Sequence, residues 1–208
     1  MVISLISTVI QIVLGVLIGM ISGFAGGKID NVLMRFSEIV ASFPFYPMLI
    51  SLSALLPPGA SQEQRITMVM ILLGLLGWTG LARLVRGQIL AERERDYITA
   101  ARALGVKNWS IMIKHIFPNI LSIVIVNATI GYAGNLLTES GLSFLGFGVQ
   151  EPTPSWGNML TAAQSSDVLN TYWWRRVFPA LAVFLTSFSE NLIGDALRDA
   201  IDPRANER

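Results

Sequence analysis

From Val2 to Phe24 the chain runs without one charged side chain, and Gln11 is the only large polar residue in the stretch. A bilayer core is crossed by about 20 mainly apolar residues in helical form. Lipid offers no hydrogen-bond partners, so such a segment must satisfy its backbone internally, as an α-helix does. Four further stretches approach the same standard. Phe36 to Leu56 is apolar apart from Glu38 and contains Pro44 and Pro47, which predict a kink or a broken helix. Ile66 to Leu84 is apolar up to Arg83, Ile120 to Leu137 is uncharged, and Val177 to Leu197 carries Glu190 and Asp195. The expectation is an all-α, polytopic transmembrane bundle of about five spans, forming one domain over residues 1–208. Composition agrees, since 52% of the 208 residues are hydrophobic and only 14% are charged. That is too little charge to cover a soluble globule. A signal-peptide core is the competing reading of the first stretch. No basic residue precedes it, no small-residue cleavage pattern follows, and it is longer than a usual apolar signal core.

The same inventory excludes several chemistries. There is no cysteine, so disulfides, thiolate metal sites and cysteine nucleophiles are ruled out. A single histidine, His115, cannot make a histidine-rich metal cluster. A net charge of +1 gives no field for nucleic acid. The placement of the charges says more than their sum. With the segment between the third and fourth spans put inside, only Arg65, Arg175 and Arg176 of the 15 Lys and Arg residues fall outside. Basic residues favour the cytoplasmic side, so the C-terminus is expected inside and, with five spans, the N-terminus outside. Trp156, Tyr172, Trp173 and Trp174 cluster in the long outer segment 139–176, either as headgroup-level anchors or as ordinary loop packing.

Within the spans, Gly15, Gly19 and Gly23 repeat every four residues and put a bare face on the first helix, where another helix can approach closely. Gly74, Gly77 and Gly80 in the third span and Gly131 and Gly134 in the fourth repeat the theme. Polar side chains inside spans are costly and face a partner or a wet cavity. Asn127, Thr129, Asn135 and Thr138 in the fourth span and Ser187, Ser189, Glu190 and Asn191 in the fifth are such residues. Interhelical hydrogen bonds are one reading of them. A wet pathway is the other, with Asn127, Asn135 and Glu190 as its candidates.

The most informative stretch is the inner segment 91–118. A mixed-charge run from Glu92 to Asp96 leads into the helix formers Tyr97 to Leu104, with Tyr97, Ala101 and Leu104 on one face. Gly105 is a natural left-handed cap. A second amphipathic pattern follows, with Trp109, Met112, Ile113, Ile116, Phe117 and Ile120 at helical spacing and Asn108 as a candidate N-cap. Pro118 is expected to bend or restart the chain. A helix, a glycine turn and a second helix held between two spans can anchor at the membrane surface. They can equally form a knob for a groove in another protein.

At this point the residues resemble a known family. Asp96-Tyr97-Ile98-Thr99-Ala100-Ala101-Arg102-Ala103-Leu104-Gly105, followed by His115-Ile116-Phe117-Pro118, is similar to the Glu-Ala-Ala loop of binding-protein-dependent ABC transporter permeases. Ala100, Ala101, Gly105 and Pro118 match its pattern, while Thr99, His115 and Phe117 depart from it. The segments Glu139 to Gly148, Pro152 to Gly157 and Asn191 to Arg204 look like the second permease subunit of the dipeptide, oligopeptide and nickel branch. Members usually carry a further N-terminal span and a Gly-Arg-Asp segment ahead of the helix that begins here, and this sequence contains neither.

The resemblance implies a transport-pathway subunit of an ATP-driven importer, most simply for di- or oligopeptides, in the cell (inner) membrane. It implies a coupling helix whose contact with a cytoplasmic ATPase involves Tyr97, Ala100, Ala101, Arg102, Leu104 and Gly105. Its partners would be a second permease, two ATP-binding subunits and an extracytoplasmic substrate-binding protein. The chain itself has no phosphate-binding G-x-x-x-x-G-K-[ST] loop, so ATP and Mg would sit on the partner ATPase. No catalytic residue set is visible and no resident cofactor is expected. A permease for nickel or another small solute, and a proton-coupled carrier using Glu190 or Asp195, are the alternatives. The outer segment is expected to cap the external mouth or re-enter the bundle, with Ser155 capping a short helix at Trp156. At the C-terminal end, Asp195 and Asp199 are placed to pair with Arg198 or Arg204.

Overall fold

The computed structural model describes residues 1–57, 59–164 and 171–201, and the elements among them are all helical. The helices are α1 (Val2–Ala25), α2 (Gly27–Ser42), α3 (Phe45–Ser53), α4 (Gln62–Glu92), α5 (Asp96–Ala103), α6 (Asn108–Ile111), α7 (Phe117–Phe144), α8 (Trp156–Ala162) and α9 (Trp174–Ile201). A π-helical turn, Met112–Ile116, joins α6 to α7. Four segments are long and apolar enough to cross a membrane: α1, α4, α6 with α7, and α9. The pair α2 and α3, bent by 76°, makes a fifth if counted as one broken span.

Each of the five expected stretches falls on one of these helices or on the bent pair, with shifted ends. The second begins earlier, because Lys28, Asp30 and Arg35 belong to a helix although they are not apolar. Its break falls at Pro44, as the prolines predict, since proline cannot continue the preceding helix. The third runs on past Arg83 to Glu92. Pro118 does not restart the chain. Instead the Phe117 N–H donates to the Met112 carbonyl five residues back, so a widened turn carries the helix across a residue that has no N–H to give.

The glycine face of α1 does what its spacing suggests. A Cβ at Gly19 would stand 2.6 Å from the Ala82 carbonyl oxygen, one at Gly15 2.9 Å from Leu81, and one at Gly23 2.9 Å from the Arg86 carbonyl. So α1 and α4 pack backbone to backbone. The opposite face of α1, with Leu5, Val9, Val13, Leu17 and Ile21, is exposed and apolar, as a lipid-facing surface must be. Gly74 and Gly77 also meet α1, at Ile10 and Gln11, whereas Gly80 and Gly134 face open space.

Polar pairs finish what packing starts. The Gln11 and Asn135 amides bond reciprocally at 3.0 and 3.1 Å, Gln11 also donates to the Leu73 carbonyl, and Asn135 donates to Thr8 Oγ1. One cluster thus ties α1, α4 and α7. At the α5 end, left-handed Gly26 and Gly27 turn α1 into α2 and bring Asp30 against Arg86 of α4. The pair is bidentate, with Nε to Oδ1 at 2.5 Å and Nη2 to Oδ2 at 2.6 Å, and the Ser22 hydroxyl donates to the same carboxylate. Arg93 adds a bond to the Gly23 carbonyl.

Two apolar cores result. One, at the α5 end, gathers Val16, Met20, Val85, Ile89, Ile98, Ile111, Ile116 and Ile120. The other, at the α8 end, gathers Ile3, Leu49, Val69, Leu73, Leu142 and Val149. The segment after α7 caps this second end. Ser155 forms the expected cap, as a box in which Ser155 Oγ accepts from the Asn158 N–H and Asn158 Oδ1 accepts from the Ser155 N–H. Thr161 Oγ1 donates to the Phe144 carbonyl at 2.7 Å and staples α8 to α7. Tyr172, Trp173 and Trp174 are exposed and stack edge to face, as anchors at headgroup level would be. Among the described residues neither Asp195 nor Asp199 pairs with Arg198. Asp202, Pro203, Arg204 and Arg208 lie outside the described residues.

Candidate functional site

The segment 91–118 folds into α5, a glycine turn, α6 and the π-helical turn. Asp96 in the first turn of α5 and Arg102 in the last both suit the helix dipole. The turn closes as a Schellman motif: the Gly105 N–H donates to the Arg102 carbonyl at 3.0 Å and the Val106 N–H to the Ala101 carbonyl at 3.1 Å. Gly105 has φ +76°, a backbone region that residues with a Cβ strongly avoid. Lys107 occupies the N-cap position of α6, so Asn108 is the first helical residue and not the cap expected from its side chain.

Burial divides α5 in two. Ile98 is fully buried and Ala101 nearly so, inside the core that α1, α4 and the π turn share. Leu104 is 83% exposed and Trp109 67% exposed, with Tyr97, Ala100, Arg102 and Gly105 also at the surface. The face proposed from spacing, Tyr97 with Ala101 and Leu104, is therefore split. Ile98 and Ala101 form the root, and the others form the tip. Of the six residues expected at a partner contact, the structure brings five together on the exposed side and keeps Ala101 inside. Large apolar side chains exposed beside Arg102 and Lys107 suit either a docking surface or a membrane-surface anchor.

Tyr97 fastens the tip to its spans. Its hydroxyl donates to Glu92 Oε2 at 2.7 Å and accepts from Asn119 Nδ2 at 2.8 Å, bridging the end of α4 to the start of α7. Burial, and then the bond to Glu92, push the phenol above its usual range. Tyr97 thus links α5 to both α4 and α7.

The pathway candidates do not share one lining. Asn135 is buried in the α1–α4–α7 clasp. Asn127 bonds the Ile123 carbonyl of its own helix. Glu190 is half-buried on α9, within electrostatic reach of Tyr132 on α7. Thr129 and Thr138 bond back to carbonyls one turn earlier, and so does Asn191. No group of acidic, histidine or cysteine side chains that could hold a metal is found among the described residues. Sequence reasoning missed Glu139, which is 3% exposed near the end of α7. Ser143 Oγ donates to it at 2.8 Å and accepts from the Val149 N–H at 2.9 Å. A carboxylate beside Ser-Gly after an apolar span was the available signal.

Long apolar helices around two cores, with a helix-turn exposed between two of them, define a multi-pass membrane protein. The chain belongs to the family of binding-protein-dependent transport system inner membrane components, whose pattern matches residues 15–207. It is 43% identical over 195 residues to the oligopeptide transport system permease protein OppC of Haemophilus influenzae, covering 94% of this chain and 60% of that protein. It is 36% identical over 198 residues to the dipeptide transport system permease protein DppC of Bacillus subtilis, covering 95% of this chain and 60% of that protein. Identity to OppC of Bacillus subtilis is 38% over 198 residues, covering 95% of this chain and 62% of that protein. The chain spans about 60% of the length of the relatives it matches.

Proposed function

We propose that this chain is a membrane-spanning permease subunit of an ATP-driven importer, and that it lines part of the route taken by di- or oligopeptides. The names of its relatives support the substrate class. The observation that carries the mechanism is the division of α5 into a root buried among the spans and an exposed tip. In this reading Leu104, Trp109 and Tyr97, with Ala100, Arg102 and Gly105, sit in a groove of a separate cytoplasmic ATPase. Closure of two such ATPases pushes the tip, and the Ile98 and Ala101 root passes the displacement to α1, α4 and α7. A second permease completes the pathway, and an extracytoplasmic binding protein delivers peptide at the α8 end. The C-terminus then lies in the cytoplasm. The chain hydrolyses nothing itself, and ATP and Mg belong to the partner ATPases. Asn127 and Glu190 are the wall residues of the pathway, while Asn135 would have to leave its clasp to join them.

The test is ATP-driven peptide uptake by the reconstituted transporter carrying Leu104→Arg. A guanidinium placed where an apolar tip is gripped should reduce uptake at least about tenfold, equivalent to about 1.4 kcal/mol of lost coupling. The permease should still reach the membrane, because Leu104 contributes nothing to the core. Uptake at the level of the unsubstituted protein would remove the docking role.

A further inference from the structure

Arg86 sits on a stretch of α4 that is used on two sides. Val85 and Ile89 beside it are buried in the core that holds Ile98 and Ala101, the root of α5. The same two side chains meet α1 at Gly19 and Gly23. Arg86 itself reaches α2, where both of its bonds go to one carboxylate, Nε to Asp30 Oδ1 at 2.5 Å and Nη2 to Oδ2 at 2.6 Å. The Ser22 hydroxyl holds that carboxylate from α1. Two turns further along α4, Arg93 donates to the Gly23 carbonyl. The part of α4 that packs on the α5 root is thus the part that is forked to α2.

Stability alone is a weak reason for the fork. A mostly buried ion pair costs desolvation, and a well-packed apolar pair of similar volume is often as stable or more so. What two parallel N–H···O bonds add is a fixed distance and a fixed angle. The chain around Asp30 has freedom that such a fixing would remove. Entry to α2 is through Gly26 and Gly27, left-handed at φ +63° and +57°, and at Pro44 the chain breaks into α3 with a 76° bend. Another contact of α2 with α4, the stack of Phe36 on Trp78, can slip without breaking a bond.

We infer that the Asp30–Arg86 pair is a coupling pin, which makes α2, the first half of the broken span, follow the α4 segment that the α5 root moves. The inference rests on the importer reading above and adds to it a positioning pair outside the α5 tip.

The double variant Asp30→Leu with Arg86→Met separates a pin from a simple clamp, because it keeps an apolar contact and loses the fork. In the reconstituted transporter, peptide uptake per ATP hydrolysed should fall at least about threefold, the size of effect that substitutions along a coupling route produce, even where the melting midpoint recovers. Asp30→Asn, which keeps the shape, should lower the ratio likewise. Asp30→Glu, which keeps the charge and both oxygens, should regain most of it. Spin labels on Val32→Cys of α2 and Gly87→Cys of α4 read the pin itself. The chain has no cysteine of its own, Val32 is 67% exposed, and a Cβ at Gly87 meets nothing within 4 Å. Between the nucleotide-free and the vanadate-trapped transporter, with cysteine-free partner subunits, the label distance should hold within about 2 Å when the pair is intact and shift or broaden by at least about 5 Å in the double variant. An uptake ratio equal to the parent's in Asp30→Asn, a ratio that recovers together with the melting midpoint in the double variant, or a label distance indifferent to loss of the pair would overturn the inference. A parent whose uptake ignores ATP would remove the importer reading, whereas an ATP-driven parent beside unaffected variants removes the pin alone.

Discussion

Replacing Asp30 with Ala should lower the thermal midpoint of the purified protein by about 4–8 °C. The substitution leaves the Arg86 guanidinium without both oxygens of its partner and the Ser22 hydroxyl without its acceptor. Breaking a fully buried pair costs roughly 3–5 kcal/mol. Here the Asp30 side chain is 10% exposed but that of Arg86 is 33% exposed. A guanidinium on a flexible stem can reach water, so about 2 kcal/mol is the appropriate figure. For a chain of this size each kcal/mol moves the midpoint by about 2–4 °C. Scanning fluorimetry in a mild detergent, read on the tryptophans, measures it. The double substitution Asp30→Leu with Arg86→Met should recover at least half of the loss, because it removes both charges together. If Asp30→Ala melts within about 1 °C of the parent, or if the double variant is as poor as the two single losses combined, the pair is not the clamp described.

Gly19→Val should damage the fold more than the loss of any one polar contact, since its Cβ would press on the Ala82 backbone oxygen, which cannot rotate away; little monodisperse protein in size-exclusion chromatography is the expected readout, and a normal yield would contradict backbone contact of α1 with α4. Asn135→Ala strands the Gln11 amide in a partly buried place, and a loss of about 1 kcal/mol, or roughly 2–4 °C, should follow. Tyr97→Phe removes two exposed hydrogen bonds and should shift the melt by under about 2 °C. In the reconstituted transporter the same change should lower uptake per ATP hydrolysed, and an unchanged ratio would deny Tyr97 its bridging role.

Features that one helix encodes by itself are legible in the sequence. The Gly15, Gly19 and Gly23 stripe, the Gly105 cap and the Ser155 cap each depend on residues within a turn or two, and the structure repeats them. The break at Pro44 belongs with them. What the sequence hides are contacts between distant residues. Asp30 and Arg86 stand 56 positions apart, and no local pattern pairs them. Starting the second span at Phe36 also left out that its helix begins at Gly27. The periodicity of α5 put Tyr97, Ala101 and Leu104 on one face, and only the packing against α1 and α4 decides that Ile98 and Ala101 go inward while Leu104 stays exposed. Likewise Asn135 reads as a pathway residue until Gln11 and Thr8 are seen beside it. Glu139 was hidden by its position, at the edge of an apolar run where charges normally reach water.

The proposed mechanism requires the α5 tip to face the side where ATP is hydrolysed and to be gripped there. Leu104→Cys, the sole thiol of the chain, can be reacted with a membrane-impermeant maleimide in sealed vesicles of each orientation. Labelling is expected only in inside-out vesicles, and it should slow when the ATPase subunits are bound. Labelling in right-side-out vesicles, or labelling indifferent to the ATPase, would contradict a tip that is held from the cytoplasm.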